Sequence, residues 1–369
     1  MGRSPAREER VEQGTRRVTI ADVAERAGVS KTAVSFAFNS PDRLNTATAS
    51  RILEIADELG YRPDPVARML TQGRTGAIGV LTPQDLSTIF NNPFFGTFSA
   101  GIAGVAEEHG YGLHFISPLH GSLSRAIHRA TVDGVVAIGL TNEHPEIDEI
   151  RRAGLPMVLV DSNATGHVAS VDVDDEGGAG RAAEHLIELG HRDIAILAID
   201  GPASALTDEG SVVARRLRGY RAALGAAGIE VRAEDVASGP ASIEGGRAAF
   251  GRVWSAGRRP TAVLAMSDGM AIGAIRAIRE NGASVPGDVS VVGFDDVDLA
   301  ASTDPPLTTV HQPVRGKGET AVRLLLSLID GRSAAPGHQR LETRLVVRSS
   351  TGPAAQRRRE VAAGSPTSS

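Results

Sequence analysis

The sequence predicts two kinds of structure in one chain. An all-α helix-turn-helix headpiece is followed by an α/β core of two doubly wound parallel-sheet subdomains with a ligand cleft. Three observations carry this. Residues 18–62 hold three short helical periods separated by a glycine turn and a polar turn. Residues 63–76 form a hinge, marked by Pro63 and Pro65 at one end and Gly73 and Gly76 at the other. From Ala77 onward, continuous apolar runs alternate with amphipathic helices, the pattern of parallel strands covered on both faces. The stretch 77–352 is too long for one small sheet, so two subdomains are expected.

Residues 1–17 and 353–369 are polar and without periodicity, and are expected to be a disordered extension and a disordered tail. Between them, TIADVAERAG starts a helix at Thr19 and places Ile20, Val23, Ala24 and Ala27 on one face; Gly28 breaks it. Ser30 caps a second helix, KTAVSFAFN, with Val34, Ala37 and Phe38 inward. Asn45 or Thr46 caps a third, with Ile52, Ile55, Ala56 and Leu59 at helical spacing and Gly60 ending it. In the core, eight strands are predicted: AIGVLTP, GLHFIS, GVVAIGL, PMVLVD, DIAILAID, TAVLAMSD, VSVVGFDD and LTTVHQP. The predicted helices are Phe94–His109, Glu176–Leu189, Arg215–Ala227, Gly269–Asn281 and Val314–Ile329.

Composition narrows the function. No cysteine is present, which excludes disulfides, a thiol nucleophile and thiolate-bound metals. The N-terminus has no apolar stretch of signal-peptide type and no run reaches membrane length, so a cytoplasmic protein is expected. Residues 1–75 carry a net +2 and the remainder −7, which permits nucleic-acid binding by the head. There are no HExxH, Walker or G-x-S-x-G signatures, and the reading is a non-enzyme without metal or cofactor. Asp172, Asp174, Asp175 and Glu176, followed by two glycines, read as a helix start and not a metal cluster.

Two short helices joined by Ala27-Gly28-Val29 make the helix-turn-helix, and the second lays its N-terminal residues along a major groove. Its exposed positions are Lys31, Thr32, Ser35 and Phe36; Thr19, Ser30 and Asn39 complete the DNA-contacting set. Phe36 could meet a thymine methyl or pack inward.

These motifs carry a resemblance. VTIADVAERAGVSKTAVSFAFN and RILEIADELGYRPDPVARMLTQGRTGAIGV closely resemble the headpiece and hinge of LacI-family transcriptional regulators. EHLIELGHRDIAIL, PTAVLAMSDGMAIGAIRAIRENG, VPGDVSVVGFDD and PPLTTVHQP continue it through the core, and together the motifs span residues 18–352. The resemblance implies a homodimeric repressor on a palindromic operator, with a core of periplasmic-binding-protein type. It further implies that the hinge helices meet in the central minor groove, where Leu70 matches the wedged leucine and Ala67 the packing residue. Departures are Asp64 and Pro65 in the hinge, Phe36 where many members have a basic or polar residue, and a short segment between Ser117 and Val132.

Polar residues ending the core strands suggest a cleft: Asp161, Ser267, Asp268, Asp295 and Asp296, joined by Arg216 and by Phe94 and Phe95. Carboxylates take paired hydroxyls, an arginine donates bidentately, and aromatics cover a sugar's C–H face. By resemblance, Asn92, Phe94, Asp161, Arg216, Ser267 and Asp295 match effector contacts of sugar-responsive members. Helix capping is the competing role for Asp161, Asp268 and Asp296. Ala241 stands where an effector-stacking aromatic often lies. The effector expected is a sugar; a nucleoside or purine is the alternative. A transporter's solute-binding protein and a Rossmann enzyme are further readings. The missing signal peptide and the attached headpiece oppose the first, the missing G-x-G-x-x-G the second.

Overall fold

The computed structural model describes residues 18–64, 69, 73–162, 168–200, 210–332 and 337–354. The chain divides into two compact units, Met1–Arg74 and Thr75–Ser369. The expected disordered extension 1–17 and the hinge residues Ala67 and Leu70 lie outside the described residues. Ala354 N–H still donates to Leu189 O, so the expected tail begins no earlier than residue 355.

In the first unit, α1 (Ile20–Ala27), α2 (Lys31–Asn39) and α3 (Thr46–Glu58) follow the predicted pattern closely. The Thr19 amide and hydroxyl both donate to Asp22 Oδ2, at 2.8 and 2.7 Å, and so fix the first turn. Ser30 Oγ accepts the Ala33 amide, and Asn45, not Thr46, caps α3 by accepting the Ala47 amide. Gly28 turns the chain at φ 64°, a conformation costly for any residue with a Cβ. Val23, Ala24, Ala27, Val34, Ala37, Ile52, Ala56 and Tyr61 form one buried cluster, and Phe38 meets the Tyr61 ring edge-on at 5.8 Å.

The second unit holds two six-stranded sheets. The first comprises β1 (Ala77–Leu81), β2 (Gly112–Ile116), β3 (Gly134–Ile138), β4 (Met157–Val160), β5 (Ala169–Val173) and β11 (His338–Leu341). Its order is β11-β5-β4-β3-β1-β2 and every pairing is parallel. The second comprises β6 (Ile194–Ile199), β7 (Val236–Gly239), β8 (Ala262–Ala265), β9 (Ser290–Asp295), β10 (Thr308–His311) and β12 (Arg344–Val346). Its order is β12-β10-β9-β8-β6-β7, with only the β12 edge antiparallel.

The helices are α4 (Leu86–Phe90), α5 (Pro93–Glu108), α6 (Leu123–Arg129), α7 (Pro145–Arg152), α8 (Asp175–Glu188), α9 (Val212–Ala226), α10 (Ile243–Ser255), α11 (Asp268–Glu280), α12 (Asp298–Ser302) and α13 (Val314–Ile329). The chain passes between the sheets three times: from β5 into α8, from β10 through Gln312 and Pro313 into α13, and from β11 to β12. α13 therefore follows a strand of the second sheet but packs on the first, against α5. The approach is backbone-close: a Cβ at Gly101 would stand 2.1 Å from Arg315 O. The segment between Ser117 and Val132, short by the family pattern, holds the seven-residue α6.

Four strands were not expected from the sequence. β5 carries buried Ser170 and Asp172, β7 is VASG, and β11 and β12 are edge segments of four and three residues, HQRL and RLV. None offers an uninterrupted apolar run, the signal by which most of the other eight are legible.

Candidate functional site

Two surfaces are candidates, one on each unit. On the first, α2 buries Val34 and Ala37 and exposes Lys31, Thr32 and Asn39, with Ser35 and Phe36 half-buried between them. Ser30 and Thr19 are exposed as well, so the described members of the expected DNA-contacting set lie outside the headpiece core. Phe36 does not pack inward: the core cluster omits it, and the Arg43 guanidinium lies over its ring at 4.9 Å.

The core cleft encloses about 380 Å³. It opens at the carboxyl ends of β1, β3 and β4 on one side and of β6, β8 and β9 on the other, next to the strands where each sheet's order reverses. Asn92, Phe94, Phe95, Asp161, Arg216, Ser267 and Asp295 line it, as does Ala241. Asn92 accepts the Phe94 amide and Ser267 the Met270 amide, so each caps a helix while facing the cleft.

Asp268 is a correction. It does not line the cleft; it is fully buried, its carboxylate accepting the Thr309 hydroxyl at 2.5 Å and the Val297 amide at 2.9 Å. It ties α11 to β10 and to the turn after β9. Burial, with the nearby Asp295 charge, pushes its carboxyl well above the usual range. Asp296 is likewise spent within the protein, on Arg348 and His311. Neither is the N-cap weighed from the sequence: Ser267 caps α11, and Asp268 is its first residue.

Two carboxylates face the cleft from different subdomains. Asp161 follows β4 at φ 58°, and Asp295 ends β9 at φ 127°. Positive φ is uncommon for a residue with a side chain and concentrates at ligand-holding sites. Burial lifts the Asp295 carboxyl to about 6, against the pull of Arg216 and of a 2.6 Å bond from Gln312 Nε2. Arg216 is more committed than expected. Its Nε donates to Asp175 Oδ1 at 2.8 Å, its Nη1 to Met266 O, and its guanidinium lies 3.6 Å over the Phe294 ring. Asp295 is 3.8 Å away. Asp175 also takes two bonds from Arg215, at 3.1 and 2.7 Å. Burial opposes the Asp175 charge, but Arg216 and Arg215 outweigh it and hold the carboxyl below its ordinary range.

Four residues of this network were not singled out for it from the sequence: Asp175, Arg215, Gln312 and Lys317. Lys317 is fully buried; its Nζ donates to Asp161 Oδ1 at 2.6 Å and to Gln312 Oε1 at 2.5 Å. Gln312 passes the link on to Asp295. A polar chain thus runs from Asp161 through Lys317 and Gln312 to Asp295 and Arg216, across a crossover between the sheets. The signal was present: Lys317 occupies an inward position of α13, in register with Val314, Ala321 and Leu325. Asp174 caps α8 by accepting the Gly177 amide, the helix-start role read for its acidic cluster.

Residues 19–64 match the description "Bacterial regulatory proteins, lacI family", and residues 183–351 match "Periplasmic binding protein-like domain". The chain is 34% identical to the HTH-type transcriptional regulator CelR of Thermobifida fusca, over 91% of this chain and 98% of that one. Among solved structures it is similar to a transcriptional regulator CelR–cellobiose complex, at 33% identity with a TM-score of 0.66, covering 90% and 100% of the two chains. It is also similar to a lac repressor dimer bound to operator and the anti-inducer ONPF, at 32% identity with a TM-score of 0.76, covering 91% and 99%.

Proposed function

The chain belongs to the lacI family of bacterial regulatory proteins, and from that premise we propose a repressor whose hold on its operator is set by a sugar in the core cleft. It is a sequence-specific DNA-binding transcriptional regulator and not an enzyme. It acts as a homodimer on a palindromic operator, one headpiece to each half-site. Residues 18–62 read the DNA, 63–76 join the units, and 77–352 bind the effector. No described helix is long and apolar enough to cross a membrane, and the protein works in the cytoplasm.

The observation that carries the effector reading is the pair Asp161 and Asp295. They stand on different subdomains, face one cleft, and each commits one carboxylate oxygen to an internal partner. A ligand with hydroxyls at both ends would bridge the two walls, with Phe94 and Phe95 offering apolar faces. Such a bridge favours one orientation of the subdomains over another, and by linkage operator and effector change each other's affinity by one factor. The similar CelR complex contains cellobiose, which makes neutral disaccharides the first class to try. The test is a thermal-shift screen of neutral sugars and nucleosides, followed by operator binding with each hit. A sugar that raises the melting temperature and alters operator affinity supports the reading; a response to nucleosides alone replaces it with the purine or nucleoside alternative.

A further inference from the structure

We propose that Arg43, which lies beyond the second headpiece helix, is a base-reading residue, held in position by Phe36. The inference rests on the assignment of α2 to the major groove.

On the stripe of α2 that lies outside the headpiece core, exposed Thr32 and Asn39 and half-buried Ser35 and Phe36 recur at helical spacing. The middle of that stripe is a phenyl ring. It can fill space against a thymine methyl but has no hydrogen-bonding atom. Guanine presents two acceptors, O6 and N7, to the major groove, and reading it requires donors. Asn39 turns its amide back along its own helix, donating to Ser35 O at 3.0 Å. Beyond Lys31 in the first turn, the stripe lacks a cation.

Arg43 supplies one. It ends the short 3-10 turn Pro41–Arg43 directly after α2. That turn is pinned: the Arg43 amide donates to Ser40 O at 3.0 Å, the Leu44 amide to Pro41 O at 2.9 Å, and Leu44 packs against the headpiece core. The backbone that carries Arg43 is therefore fixed before any DNA arrives. Its guanidinium is exposed, lies 4.9 Å over the Phe36 ring, and makes no ion pair or side-chain hydrogen bond among the described residues. Aromatic stacking holds a guanidinium flat while leaving its N–H edge free. A phosphate anchor gains little from such orientation, because a phosphate accepts from many directions. A fork aimed at O6 and N7 of one guanine gains much, because both bonds must form in one plane. Phe36 is then the platform and Arg43 the reader, and the two act on one base pair of each half-site.

The test is in vitro selection from random duplexes with the full chain, repeated with Arg43→Ala, Arg43→Lys and Phe36→Leu. The wild type should enrich a palindrome containing a guanine column that Arg43→Ala and Phe36→Leu both lose, with the other columns kept. Affinity of Arg43→Ala for the selected palindrome should fall about tenfold, with random duplex changed much less. Arg43→Lys should recover only part, since it lacks the fork. Placing 7-deazaguanine at that column should weaken the wild type and leave Arg43→Ala unaffected. An equal loss on selected and random DNA, with the columns unchanged, makes Arg43 a phosphate contact and overturns the proposal. Loss of different columns in the two variants breaks the pair. Selection that enriches no palindrome with the wild type overturns the major-groove assignment itself, a failure distinct from either.

Discussion

Lys31 and Lys317 are the only lysines in the chain, and they stand at opposite extremes of exposure. Lys31 opens α2 with its ammonium in water; Lys317 is fully buried between Asp161 and Gln312. The headpiece keeps its polar groups outside a small apolar cluster, ready for a polyanion that brings its own charge. The charges around the cleft already have internal partners: Asp175 has Arg215 and Arg216, Asp161 has Lys317, and Asp295 has the Gln312 amide with Arg216 3.8 Å away. DNA binding by such a surface depends on charge released to solvent and weakens with salt. Effector binding by such a cleft depends on a preformed frame that a ligand joins without importing charge.

The bluntest way to break the comparison is to remove one side of it. A chain starting at Thr75 should lose operator binding entirely while the core keeps a cooperative thermal transition, read by fluorescence anisotropy and by circular dichroism. Retained operator binding would show that the core reads DNA itself.

Charge removal sharpens it next. Asp175→Asn strips the counter-charge from two buried arginines and should destabilise the core by about 3–5 kcal/mol in urea unfolding. Lys31→Ala, on an exposed turn, should stay within about 0.5 kcal/mol of wild type. Similar costs for both would mean that the buried network is not the frame described.

pH separates the two surfaces more gently. Residues 18–64 contain no histidine, so headpiece binding to DNA has no such group to titrate near neutrality. The cleft does respond, because the Asp295 carboxyl is raised to about 6. Its native form holds the proton more tightly than the unfolded chain does. Its contribution to stability is therefore greatest at low pH and declines as pH rises through the ordinary carboxylate range to about 6. A carboxylate accepts hydroxyl bonds better when ionised, so sugar affinity should be level above about pH 6.5 and fall below 6, by up to about tenfold per unit. Calorimetric titration between pH 5 and 8 checks it; a level profile would remove Asp295 from the contact.

The same contrast governs what could be read from the sequence. The headpiece is local: caps at Thr19 and Ser30, the glycine turn at Gly28, and helical apolar spacing each sit within a few residues of what they determine. The cleft carboxylates were legible because they end apolar strands. The frame around them was not. Asp175 looked like a helix-start residue, and it is one, but its partners lie 40 and 41 residues later. Lys317 reaches Asp161, 156 residues earlier, only because α13 crosses back to the first sheet. Asp268 misled because it follows a strand like the others, yet points at Thr309 rather than the cleft. Phe36 is ambiguous in the sequence because its partner, the Arg43 guanidinium, lies seven positions on and meets its ring only through the turn after α2.

The proposed effector is a sugar that spans Asp161 and Asp295 and so sets operator affinity. The direct measurement is operator binding by anisotropy while a sugar from the thermal-shift screen is titrated into wild type and Asp295→Asn. Each charged hydroxyl bond is worth about 1.5–3 kcal/mol. Without sugar, the two proteins should bind operator alike; with it, the midpoint of the response should move about ten- to a hundredfold higher in the variant. The same midpoint in both would place the effector elsewhere and contradict the account.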